Sequence, residues 1–148
     1  MASSSHSRGA TVGWVGRDAL WSSFSYPLVY DPEVPQQPFH PTSVTCLPGS
    51  DDLLVLERRY PPLAARIRRV GRTVFERGTG LEGVEVARLD PPLSLDNFEG
   101  IDAVAGPRGE TLLYLVSDDN NCAKIPGGAS RDSLQRTLLL MFELLPGS

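Results

Sequence analysis

Residues 94–120 constrain the fold of this chain more than any other stretch. Two short apolar runs, 101–105 and 112–116, flank the sequence Gly106-Pro107-Arg108-Gly109. Their β-branched, aliphatic and aromatic residues suit a packed sheet, and the Gly-Pro-Arg-Gly sequence suits a tight turn. The stretch therefore predicts an antiparallel hairpin. Polar groups sit just outside both strands: Asp96, Asn97 and Glu99 before the first, and Ser117, Asp118, Asp119 and Asn120 after the second. A tight hairpin brings its outer ends together, so the two clusters are expected to share one sheet edge.

That edge is the strongest site candidate. Carboxylates brought close repel one another and stay ionised only where water, a cation or an arginine offsets the repulsion. Oxygen-rich sets of this kind suit calcium and, less readily, magnesium. Asp96, Asn97, Glu99, Asp118, Asp119 and Asn120 are accordingly the metal-ligand candidates. The same residue types also cap nearby backbone amides in ordinary turns. Both readings stand at this stage.

The rest of the chain predicts short strands and turns. Thirteen prolines and fourteen glycines in 148 residues fit turn-bounded strands better than a helical bundle. Strands are expected at 43–47, 53–57, 65–70 and 82–89, with a turn at Pro48-Gly49-Ser50-Asp51. Val44, Leu54, Leu56, Ile101, Leu115 and Val116 are the expected buried positions. Residues 31–41 carry four prolines and are expected to form a loop. Residues 1–20 are assigned to a disordered segment, because the first eleven have almost nothing apolar to bury. The 134–145 stretch supports two structures. Leu134, Leu138, Met141 and Leu145 share a helical face, and periodicity leans that way; a strand over 137–144 competes.

Several functions are disfavoured. A formal charge of −4, with no basic stripe, argues against a nucleic-acid partner. No apolar run approaches the length of a membrane-spanning helix, and no apolar signal core follows the start. His6 and His40 have no companion at metal-ligand spacing. No Gly-x-Ser-x-Gly elbow is present. Cys46 and Cys122 could form one bridge, and free thiols are the plainer expectation.

A weak internal repeat lays the 44–59 unit over the 101–119 unit, a shift of about sixty residues. Strand, turn, strand and polar exit recur, as in the blades of a propeller. Four ordered motifs then carry a resemblance: Leu53-Leu-Val-Leu-Glu-Arg-Arg-Tyr60, Leu95-Asp-Asn-Phe-Glu-Gly-Ile101, Leu113-Tyr-Leu-Val-Ser-Asp-Asp-Asn120 and Gln135-Arg-Thr-Leu-Leu-Leu-Met-Phe-Glu-Leu144. Together they resemble the phytase-like family, described by esterase-like activity, over roughly residues 21–144.

The resemblance is to the C-terminal part of that family, whose members are longer, mostly bacterial and often exported. It implies an all-β, partial propeller-like array of short antiparallel strands over residues 21–145, truncated relative to the full-length members. Residues 137–144 become a strand rather than a helix. Hydrolysis of phosphoric or carboxylic esters is implied for the family, with Glu57, Arg58 and Arg136 as catalytic candidates beside the calcium candidates. A chain of this kind is expected to be inactive alone and to need further blades or self-association. The alternative is a non-catalytic propeller module that binds a ligand or a protein. One departure is the longer 121–133 segment between the third and fourth motifs.

Overall fold

The computed structural model describes residues 9–17, 20–71, 83–93, 95–118 and 137–145. Among them are ten strands and no helix. A hairpin of β1 (Ala10–Arg17) and β2 (Leu20–Pro27) forms a sheet of its own. A five-stranded antiparallel sheet follows in the order β3 (Val29–Asp31), β4 (Val34–Cys46), β5 (Leu53–Arg59), β6 (Ala64–Val70) and β7 (Val84–Leu89). A third sheet has the order β10-β9-β8, from β8 (Asn97–Ala105), β9 (Thr111–Asp118) and β10 (Leu139–Leu144). The fold is all-β and antiparallel, as the turn-bounded apolar runs predict.

Strand alternation places one face of the five-stranded sheet in an apolar core. Leu54, Leu56 and Ile67 pack there against Phe98, Leu113 and Leu115 from β8 and β9. All six are at most 1% exposed. Each such side chain contributes about 1.5–3 kcal/mol relative to exposure. Between the two sheets, β8 runs beside β4 where both strands have irregular register. Side chains make the connections there. Thr42 Oγ1 donates to the Phe98 carbonyl at 3.1 Å, and the Ile101 amide donates to Ser43 Oγ at 3.3 Å.

The five-stranded sheet is strongly curled into a half-barrel. In a flat sheet β3 and β7 would lie about 19 Å apart, four strand spacings. Here Arg88 on β7 reaches Asp31 on β3 at 2.8 Å. Register shifts in β3–β4, β4–β5 and β6–β7 supply the bend, because an extra residue on one strand increases local twist.

Several expectations change. The proline-rich stretch is mostly strand: β4 begins at Val34 and contains Pro35, Pro38 and Pro41. Proline tolerates extended backbone where its nitrogen is not needed in a ladder. The β4–β5 register begins only at His40, and Pro41 lies at a register shift. Ala10–Arg17 is a strand although it falls in the segment expected to be disordered; the first eight residues lie outside the described ones. The helical reading of 134–145 gives way to a strand, since Leu139–Leu144 pairs with β9 from Leu139↔Val116 to Leu144↔Thr111.

Val44 and Val116 are 55% and 42% exposed, not buried. Their neighbours Thr45 and Leu115 point to the opposite side: Thr45 to Asp102, and Leu115 into the core. Adjacent residues in a strand cannot both face the same core. Among the described residues, no helix is long and apolar enough to cross a membrane.

Candidate functional site

The β8–β9 hairpin closes as the sequence predicts. Gly106 N–H donates to the Glu110 carbonyl at 2.7 Å, and Gly109 sits at φ 85°, where a side chain would be strained. The open end then aligns Asn97 opposite Asp118. The two polar clusters thus meet at one edge for their described members. Asp119, Asn120 and Arg136 lie outside the described residues.

The edge holds unlike groups. Asp96 is 7% exposed and its Oδ1 accepts the Asn97 amide at 2.8 Å. Asn97 is 3% exposed, and its Oδ1 has no hydrogen-bond partner. A buried carbonyl oxygen without a donor is uncommon and calls for a ligand, water or ion. Asp118 beside it is exposed. Glu99 instead meets Arg58 of β5 at 3.2 Å. No group of three or more His, Cys, Asp or Glu among the described residues is arranged to hold a metal ion.

Glu57 and Arg58 are neighbours in sequence but serve opposite faces of β5. Arg58 reaches the β8 bulge, while Glu57 enters the concave side of the half-barrel and is fully buried. There Glu57 accepts the Tyr26 hydroxyl at 2.5 Å, forms a short ion pair with Arg66, and meets Arg68 at 3.3 Å. Burial first, and then the Glu57 carboxylate, push the Tyr26 hydroxyl well above its ordinary pKa.

Around this carboxylate lies a charged inner layer that sequence reasoning missed. The Phe39 ring is fully buried, with the guanidinium groups of Arg66, Arg59 and Arg88 at 4.1, 4.8 and 5.4 Å from its centroid. Asp31 binds Arg59 at 3.0 Å as well as Arg88. Glu85 completes the rim through Arg88 at 2.9 Å. The available signal was the alternation itself: Val55, Glu57 and Arg59 share one face of β5, opposite Arg68, Arg66 and Ala64 of β6. Alone, such a face reads as solvated.

Asp31 gives this layer a pH dependence. The Arg88 hydrogen bond, the Glu33 amide and Arg59 hold its carboxyl down at about 2. A carboxylate whose pKa is lowered by folding adds stability above its unfolded pKa, and loses it as pH falls toward the folded value. The Asp31 contribution should therefore be full at neutral pH and fade from roughly pH 4 to pH 2. In urea denaturation at a series of pH values, Asp31→Asn should lower the midpoint at neutral pH and flatten its pH dependence across that window. An unchanged pH dependence would exclude this contribution of Asp31.

Antiparallel sheets, one of them curled, define an all-β class consistent with a propeller-like partial fold. The family model for the phytase-like proteins, described as esterase-like activity of phytase, matches residues 4–121, and the chain belongs to that family. The match takes in the first three motifs and reaches further toward the start than they do; the 135–144 motif lies beyond it. No curated protein and no solved structure matches the chain significantly. Membership points to a hydrolase-type, propeller-like domain.

Proposed function

We propose that the chain contributes to hydrolysis of a phosphoric or carboxylic ester at the β8–β9 edge. The observation that carries this reading is the buried, unpartnered Asn97 Oδ1 set opposite Asp118. In this proposal the Asn97 oxygen and Asp118, with Asp119 and Asn120 next in the chain, hold calcium or orient the attacking water. Such hard oxygen donors match a hard cation. Arg58, loosely held by an exposed Glu99, turns toward negative charge developing on the ester, and Arg136 is a candidate second cation. Glu57 acts from beneath by fixing Arg66 and Arg68, since its two oxygens are already engaged.

The test pairs turnover with binding. Hydrolysis of nitrophenyl phosphate and nitrophenyl acetate is measured with calcium or with chelator. Asn97→Ala and Asp118→Ala should each lower kcat/KM by about 10–100-fold, the usual effect of losing a metal-site group. Calcium should raise the melting temperature of the parent protein and not of the variants, because a ligand bound only to the native state stabilises it. Unchanged rates in both variants would overturn the assignment.

A second reading, a non-catalytic binding module, is favoured by the outer face of the β8–β9–β10 sheet. Leu139, Met141 and Val116 are exposed there side by side. An exposed apolar sheet face is a common place for a partner. Absence of turnover on every ester class, with a partner protecting this face from hydrogen exchange, would favour that reading.

A further inference from the structure

We infer that the cleft between the β1–β2 hairpin and the β4–β5 part of the large sheet binds a neutral aromatic group. We assign that group as the apolar arm of the ester; this assignment rests on the hydrolysis reading above, whereas the ligand class does not. The cleft has a volume of about 390 Å³. Small-molecule pockets typically run from about 300 to 1,000 Å³.

Phe24 and Tyr26 form two aromatic walls of the cleft. Phe24 lies flat over Gly13, and a Cβ built at Gly13 would overlap the ring. Tyr26 is tied by its hydroxyl to Glu57 and cannot swing inward without leaving a buried carboxylate short of a donor. Trp14, 65% exposed, stands at the mouth as the third aromatic wall. Opposite the rings are the aliphatic side chains of Val44, Leu53 and Val55.

The lining decides the chemistry of the occupant. The Tyr26 hydroxyl is spent on Glu57, and the side-chain oxygens of Thr42 and Ser43 are turned to the β8 backbone. Glu57, behind Tyr26, is paired with Arg66 and Arg68, and none of the three lines the cleft. A charged ligand would lose its hydration with no charged lining group in return, since Thr11 adds only a hydroxyl. A planar aromatic gains apolar burial and also offset or edge-to-face contact with the rings.

The cleft also has a physical connection to the candidate edge. Thr42 and Ser43 line it, and their hydrogen bonds go to Phe98 O and Ile101 N. Those two backbone groups flank Glu99 at the β8 register shift. An aromatic arm seated against β4 is thereby carried by the strand that supports the edge.

Equilibrium dialysis of the full chain against naphthol, compared with naphthoate, tests the pocket. Saturable binding of one equivalent of naphthol is expected, at least about tenfold tighter than naphthoate, since the acid must shed its hydration. Val44→Trp should abolish that binding by filling the cleft while leaving thermal unfolding unchanged, because Val44 is an exposed position. Asn97→Ala should leave naphthol binding intact. Equal affinity for naphthoate, no saturable binding, or binding indifferent to Val44→Trp would each overturn the pocket. Naphthyl acetate separates the two claims. Naphthol binding without turnover in any condition defeats the ester reading and leaves the pocket standing. Turnover whose KM is unmoved by Val44→Trp defeats the substrate-arm assignment.

Discussion

Replacing Glu57 with alanine is expected to destabilise this protein by about 3–5 kcal/mol, enough to unfold a marginal domain. Glu57 is fully buried and is shared by Tyr26, Arg66 and Arg68. Arg66 and Arg68 are themselves only 4% and 5% exposed. Removing the carboxylate leaves Arg68 without its anion and Arg66 with only the longer Glu85 pair at 3.6 Å. The loss is far larger than the net worth of the ion pairs, because burying an unpaired charge is the dominant cost. Urea denaturation measures it. Glu57→Gln keeps the volume and one acceptor oxygen, so it should fall between parent and alanine; it also preserves the test should the alanine protein fail to fold. Glu85→Ala, at the half-exposed rim of the same layer, should change stability by no more than about 1 kcal/mol. Equal effects at Glu57 and Glu85 would refute the view that burial, not pairing, sets the magnitude.

Phe39→Ala should cost about 3–5 kcal/mol, for a different reason. The ring is fully buried and three guanidinium groups gather on it from β5, β6 and β7. Alanine removes the volume on which those strands converge and also the electron-rich face. Phe39→Leu separates the two contributions, because it retains much of the apolar volume but no π face. Cation–π contacts are each worth about 0.5–2 kcal/mol depending on desolvation. Denaturation should therefore place the leucine variant about 1–3 kcal/mol below the parent. A leucine variant as stable as the parent would mean that Phe39 acts by volume alone.

The two substitutions probe a layer that holds the curvature of the sheet. Asp31 ties β3 to β7, and the Phe39 ring collects arginines from three strands. The hydrogen bonds that Arg88 donates to Glu85 and then to Asp31 raise its guanidinium above the ordinary pKa, so its charge is secure at any working pH. Curvature in turn positions the other face, where Arg58 meets Glu99 near the acidic edge. Stability and the candidate site are thus connected through β5, whose alternate side chains serve both.

The amino-acid sequence alone determined what depends on near neighbours. The Pro48–Asp51 turn forms, with Gly49 at φ 72° and the Leu47 amide bonded to the Asp52 carbonyl at 2.9 Å. The 106–109 turn sets the register that places Asn97 opposite Asp118. Turn chemistry and a period of two act over a few residues, so both are legible before any tertiary contact is known. The family motifs were legible in the same way.

Tertiary structure alone decided which face of each strand is buried. A period of two separates Glu57 from Arg58 but does not say that the charged side would be enclosed. Enclosure came when the sheet curled until β3 met β7, and when Tyr26 from the β1–β2 hairpin came over Glu57. It also turned Leu139–Leu144 into a strand, because the free edge of β9, more than twenty residues earlier in the chain, offered a ladder that helical periodicity could not anticipate. Prolines in β4 were accommodated for the same reason: an edge and a register shift, both products of distant pairing, removed the need for their missing amides. Burial and pairing partners are set by segments far apart in sequence, and only the folded chain brings them within reach.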